Sequence, residues 1–182
     1  YSAFESCTAL KSIVIPNSVI TIDENAFYDC DNMLTATIGN GVTSIDQKAF
    51  YSCDKLTTVN MGSDVRTIGW QAFANCINLE AITLTDNLVT LAERNSVYDN
   101  GEQFMGCTSL TDVTIGAKVA EMGSGVFLNC TALKNVTIKN GCALIGKSCF
   151  KGCTKLPAVT IPNTVEEIRD EAFSGCVALK NI

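Results

Sequence analysis

The apolar residues of this chain fall into columns that return at a fixed interval. In the stretch Cys7 to Cys30, CTALKSIVIPNSVITIDENAFYDC, the apolar positions are Leu10, Ile13, Ile15, Val19, Ile22, Ala26, Phe27 and Cys30. The Leu10 column continues as Met33, Leu56, Leu79, Leu110, Leu133, Leu156 and Leu179. The Ile15 column continues as Ile38, Met61, Leu84, Ile115, Ile138 and Ile161. Phe stands at 4, 27, 50, 73, 104, 127, 150 and 173, and Cys follows each by three residues. Successive Phe are 23 residues apart except once, where the interval is 31. So strict a period means stacked repeats that share one long apolar stripe.

Each unit reads the same way. Ile13-Val14-Ile15 alternates β-branched residues in, out and in, as in a strand with one buried face. Pro16-Asn17, Gly39-Asn40, Gly62-Ser63 and Pro162-Asn163 supply turns. Val19 to Ile22 reads as a second, shorter extended segment. Asp23 to Cys30 offers an N-cap candidate and apolar Ala26, Phe27 and Cys30, which predicts one or two helical turns held by packing. Each unit thus gives one rung of a parallel sheet, with neighbours roughly 4.8 Å apart.

The units LKSIVIPNSVITIDENAFYDC and LPAVTIPNTVEEIRDEAFSGC resemble the leucine-rich repeats of BspA-like bacterial surface proteins, whose unit is roughly LxxLxIPxSVxxIGxxAFxxC. That resemblance implies a right-handed leucine-rich-repeat solenoid of α/β repeat class, with parallel strands, short helical or 3-10 turns and about eight 23-residue repeats. It also implies an exported, cell-surface setting and adhesion to proteins, host extracellular matrix among them. The expectation is one solenoid over residues 1–182, a fragment of a longer array. Two departures stand out. Eight extra residues lie within Ala92 to Gln103 (AERNSVYDNGEQ), and Gln103, Val126 and Cys149 replace the Ala before Phe.

Charge and chemistry narrow the function. A net charge of −6 argues against nucleic acid or an anionic membrane surface. No apolar run approaches the roughly 20 residues of a membrane span. The chain has no His, which removes His-based triads, acid–base pairs and zinc centres. Glu166-Glu167 and Asp170-Glu171 read as a solvated edge, and no phosphate-binding glycine loop is present. No catalytic site, cofactor or metal is expected. The ten Cys recur at the repeat spacing rather than in CxxC pairs, so they read as buried free thiols and not as metal ligands. Parallel inward vectors also suit disulfides poorly.

Two surfaces are candidates for binding a protein or a glycan. The outward column of the first strand is Val14, Thr37, Asn60, Thr83, Thr114, Thr137 and Thr160, either a hydrogen-bonding floor or simple β-propensity. The other surrounds the insertion: Trp70, the only Trp, with Arg94 and Tyr98, residue types that dominate interface energies. Trp70 could equally cover a neighbouring turn. Tyr28 and Tyr51, one rung apart, are expected to stack. The leading reading is a non-enzymatic extracellular binding module. Its rivals are a structural spacer, or a scaffold domain attached to an enzyme in a larger surface protein.

Overall fold

A computed structural model describes residues 1–91 and 101–182. The chain winds as a solenoid of parallel strands with the expected period, in about six turns. The first strand of each unit supplies β1 (Ser12–Ile15), β3 (Thr35–Ile38), β5 (Thr58–Asn60), β7 (Ala81–Ile82), β8 (Asp112–Ile115) and β10 (Asn135–Ile138). These six form one parallel sheet in that order. The second segment of each unit gives only two residues. β2 (Thr21–Ile22), β4 (Ser44–Ile45) and β6 (Thr67–Ile68) form one small sheet, while β9 (Glu121–Met122), β11 (Leu144–Ile145) and β12 (Glu167–Ile168) form another. The bridges Thr67 to Thr90 and Leu91 to Met122 carry the pairing between them.

Register is kept at one full repeat, so each column stacks on itself: Ile13 on Ala36, Ile15 on Ile38, Val136 on Val113. The core is therefore a set of ladders rather than a cluster. The eight Phe rings stack in sequence, with centroids 5.0 to 5.6 Å apart and planes within 13° of parallel. Phe50, Phe73, Phe104, Phe127 and Phe150 are fully buried. Offset stacking of this kind adds to the burial of apolar area.

No helix occurs among the described residues, which corrects the helical or 3-10 turn expected over Asp23 to Cys30. The segment is a chain of tight turns. The amides of Ala26, Tyr28 and Cys30 each reach back three residues, to the carbonyls of Asp23, Asn25 and Phe27. The intervening amides of Asn25, Phe27 and Asp29 instead point along the solenoid, to Gln47, Ala49 and Tyr51 of the next rung. A helix would turn every amide inward and forfeit those rung-to-rung bonds. The alternation requires positive φ two residues either side of Phe, found at Asn25 (56°) and Asp29 (54°), Gln71 (54°) and Asn75 (60°). That places a left-handed residue third in the turn, as type II geometry demands.

The cysteines do more than fill space. Cys30, Cys53, Cys76, Cys107, Cys130, Cys153 and Cys176 donate their thiols to the carbonyls of Phe4, Phe27, Phe50, Phe73, Phe104, Phe127 and Phe150, at 3.1 to 3.3 Å. Each carbonyl lies one rung back, so Phe and Cys of adjacent units lock together. No disulfide is formed, and every Cys but Cys7 is buried. Burial pushes the Cys30 thiol up to about 12. Cys76, Cys107, Cys130 and Cys149 are likewise held neutral by desolvation.

One irregularity lies in the rung after β10. The amides of Leu34, Thr57, Glu80, Thr111 and Lys134 each donate to the same column one rung back. Pro157 occupies the next position and has no N–H to give. Its rung accordingly adds no strand to the six-stranded sheet, only a bridge from Ala158 to Asn181, and keeps β12 as its second segment.

Candidate functional site

The outer face of the six-stranded sheet carries the polar column expected from alternation. Val59 is buried between exposed Thr58 and Asn60, and Val113 between exposed Asp112 and Thr114. Thr83, Thr114, Thr137 and Thr160 are all exposed. Thr137 lies directly beside Thr114 in the register of β8 and β10, whereas Thr160 belongs to the rung interrupted at Pro157. Side-chain bonds run along this face: Asn60 donates to the Thr37 hydroxyl at 3.3 Å, and Asn135 to the Asp112 carboxylate at 2.6 Å. Hydrogen bonds from Thr111 and Asn135 hold the Asp112 carboxyl below the usual carboxylate range.

The face is not uniform. Four residue pairs join β1 to β3, three join β3 to β5, two join β5 to β7 and one joins β7 to β8, before β8 and β10 regain four. The strands therefore splay after Ala81 and Asp112. At the turns, a Cβ on Gly39 or Gly62 would meet a carbonyl oxygen of the preceding rung at 2.7 or 2.2 Å, whereas one on Gly116 would find nothing nearer than 3.6 Å. Thr85 stands between Gly62 and Gly116 in this column, which elsewhere also holds Pro16, Lys139 and Pro162. Thr85 turns its hydroxyl onto the Val65 carbonyl at 2.7 Å. The result is a half-open cleft of about 730 Å³, with Thr83, Thr85, Thr114 and Asn60 among its walls and Met61 and Leu84 as apolar patches.

The Trp70 surface is built differently. Trp70 is half-buried, and its indole N–H donates to Glu102 at 3.1 Å. Gln71 donates to the same carboxylate oxygen at 2.7 Å. The Lys48 ammonium sits 4.8 Å from the Trp70 ring centroid and 5.7 Å from that of Tyr51. Tyr51 stacks on Tyr28 at 5.1 Å and accepts a hydrogen bond from Asn75 at 3.0 Å. Glu102 was not a candidate on sequence grounds; its place two residues before Phe104 is the only signal it offered. Trp70 lines a separate depression of about 330 Å³ with Glu24, Asp46, Gln47 and Gly69. None of the sheet-face threonines lines that depression. Arg94 and Tyr98 lie outside the described residues.

The departures in the Ala column are absorbed in the core. Gln103 is fully buried and donates to the Ile68 carbonyl at 3.2 Å, leaving its own Oε1 without a partner. Among the described residues no three potential ligands gather as a metal site, and no helix is long and apolar enough to cross a membrane.

The profile of the BspA-type leucine-rich repeat region matches in six copies, over residues 1–102 and 100–182. A leucine-rich repeat protein from Bacteroides ovatus has a similar structure, with a TM-score of 0.84 and 28% identity over 94% of this chain. The leucine-rich repeat protein of T. pallidum has a TM-score of 0.72 at 24% identity over 86% of the chain. A leucine-rich cell surface protein from Faecalibacterium prausnitzii follows with a TM-score of 0.54 at 22% identity over 98%. The chain spans 45%, 69% and 61% of these three proteins, respectively. No curated protein matches it.

Proposed function

The chain belongs to the BspA-type leucine-rich repeat family, and on that premise we propose that it is a non-enzymatic binding module of an extracellular or cell-surface protein. Its partner is a protein, host extracellular-matrix proteins included, or a glycan. The observation that carries this reading is the outer sheet face, where exposed Thr83, Thr114, Thr137 and Thr160 alternate with buried or half-buried apolar residues. Hydroxyls on a rigid sheet can form many weak, additive hydrogen bonds at little cost in side-chain ordering. The cell-surface setting is supported by the likeness to the F. prausnitzii protein, which is described as a leucine-rich cell surface protein.

A structural spacer or scaffold is the alternative. It draws on Trp70, whose indole N–H and ring face are already engaged by Glu102 and Lys48. A side chain so occupied has less to offer a partner, and cross-rung ties of this kind stiffen an array.

The test is binding of the purified chain to a panel of extracellular-matrix proteins and glycans. Saturable capture of at least one, reduced when Thr114 and Thr137 are replaced by Lys, is the expected result. Failure to capture any favours the spacer.

A further inference from the structure

The cleft at the splayed strands has edges as well as walls. β8 pairs along all four of its residues with β10 but through Asp112 alone with β7, which itself ends at Ile82. Thr83 to Thr85 and Val113 to Ile115 thus face one another with no strand between them. From β1 to β5 and between β8 and β10 such edges are covered by the next rung; here they open into the cavity, which Thr83, Leu84, Thr85 and Thr114 line. Unpaired strand edges beside pockets of alternating character are how sheets take up extended peptides. The lining carries no aromatic ring, the usual platform for a sugar face, but does carry Met61 and Leu84, which suit an aliphatic side chain.

The charges at the mouth supply a second requirement. Lys139 reaches back two rungs, over Gly116, to Asp86, and the 3.2 Å pair spans the cleft like a clasp. Lys118 lies alongside, donating to Asn87 at 2.8 Å. Two ammonium groups thus stand at or beside the mouth, one on the Asp86 carboxylate and one on the neutral Asn87 amide, in a chain whose net charge is −6. The Asp86 side chain is 86% exposed and the pair is solvated, so a competing carboxylate can replace it at little cost.

We infer that this cleft binds an extended peptide segment bearing a carboxylate, which adds along the open edges of β7 and β8 and takes Lys139 from Asp86. The inference rests on reading the chain as a binding module and specifies its partner. The peptide backbone supplies the missing ladder, one aliphatic side chain lies on Met61 and Leu84, and the acidic side chain meets the Lys139 and Lys118 ammonium groups.

The experiment is selection of random hexapeptides, acetylated and amidated at their ends, on the immobilised chain. Enrichment of Asp- or Glu-containing peptides with β-branched neighbours is expected. The best enriched peptide should bind at least tenfold more weakly to Lys139→Gln and to Thr114→Tyr, which fills the mouth, while both variants keep the wild-type circular dichroism. Lys139→Ala serves if Lys139→Gln is misfolded. N-methylation of alternate amides in the peptide should abolish binding. No enrichment, enrichment of basic peptides, or binding indifferent to both substitutions would overturn the inference. If a matrix protein or glycan still binds the chain in those cases, the binding-module reading survives without it.

Discussion

Raising the pH should unfold this protein abruptly, because its core is a ladder of neutral thiols. Cys30, Cys76, Cys107, Cys130, Cys142 and Cys149 are pushed above the ordinary thiol value by desolvation, and Cys53 and Cys153 by a hydrogen bond with the next thiol and then by desolvation, while Cys176 is lowered by its bond with Cys153. In the unfolded chain the raised thiols ionise near 8.5. Between that value and their folded values the native state holds protons that the unfolded state has lost. Stability is therefore complete below about pH 8.5 and falls as pH rises. Each group costs up to about 1.4 kcal/mol per pH unit beyond that point. Summed over several such groups, the loss becomes comparable to the whole stability of a typical domain. Circular dichroism followed through an alkaline titration, with excess reductant present, should show cooperative loss of structure between about pH 9 and 10. Return to pH 7 should restore the signal. A native spectrum persisting beyond pH 10.5, or a transition releasing only one or two protons, would refute the reasoning.

Three further outcomes follow from the ladders and the turn cluster. Phe127→Ala should cost about 3–5 kcal/mol, because the ring is fully buried between Phe104 and Phe150; an unmoved melting transition would deny its place in the stack. At pH 7.5 a thiol reagent should label the exposed Cys7 first and leave the buried thiols until denaturant is added, when all ten react without reductant. Glu102→Ala removes the acceptor shared by the Trp70 indole and Gln71, so the fluorescence of this single Trp should shift to the red. An unchanged spectrum would mean that Glu102 does not hold the ring.

Much of the fold was legible because the columns of Leu10, Ile15 and Phe27 obey one period, and stacking identical rungs leaves little freedom in register. The turn segment was misread for a physical reason. Ala26, Phe27 and Cys30 are spaced as on a helix face, yet a solenoid gains more by sending every second amide to the next rung. Asn25 and Asp29 were the available sign of left-handed turns, but Lys48, Gln71 and Glu102 adopt the same conformation without advertising it. The thiol-to-carbonyl bonds were implicit in the three-residue step from Phe to Cys. They went unseen because Cys also packs as a small hydrophobe. The cleft left the weakest trace: Leu79, Ile82 and Leu84 keep the common spacing, and Thr85 stands between Gly62 and Gly116 in a column that also admits Pro16, Lys139 and Pro162. The outward threonines were legible from alternation alone, whereas the engagement of Trp70 by Glu102 required the rungs to be stacked.

The most direct measurement is to compare capture of extracellular-matrix proteins and glycans by the wild-type chain, by Thr114→Tyr and by Trp70→Ala, with circular dichroism confirming that each is folded. Binding through the sheet face predicts saturable capture by the wild type and by Trp70→Ala, and its loss in Thr114→Tyr. Capture lost in Trp70→Ala and kept in Thr114→Tyr would place the partner on the turn face and contradict the account, and capture by none of the three would leave the chain a spacer.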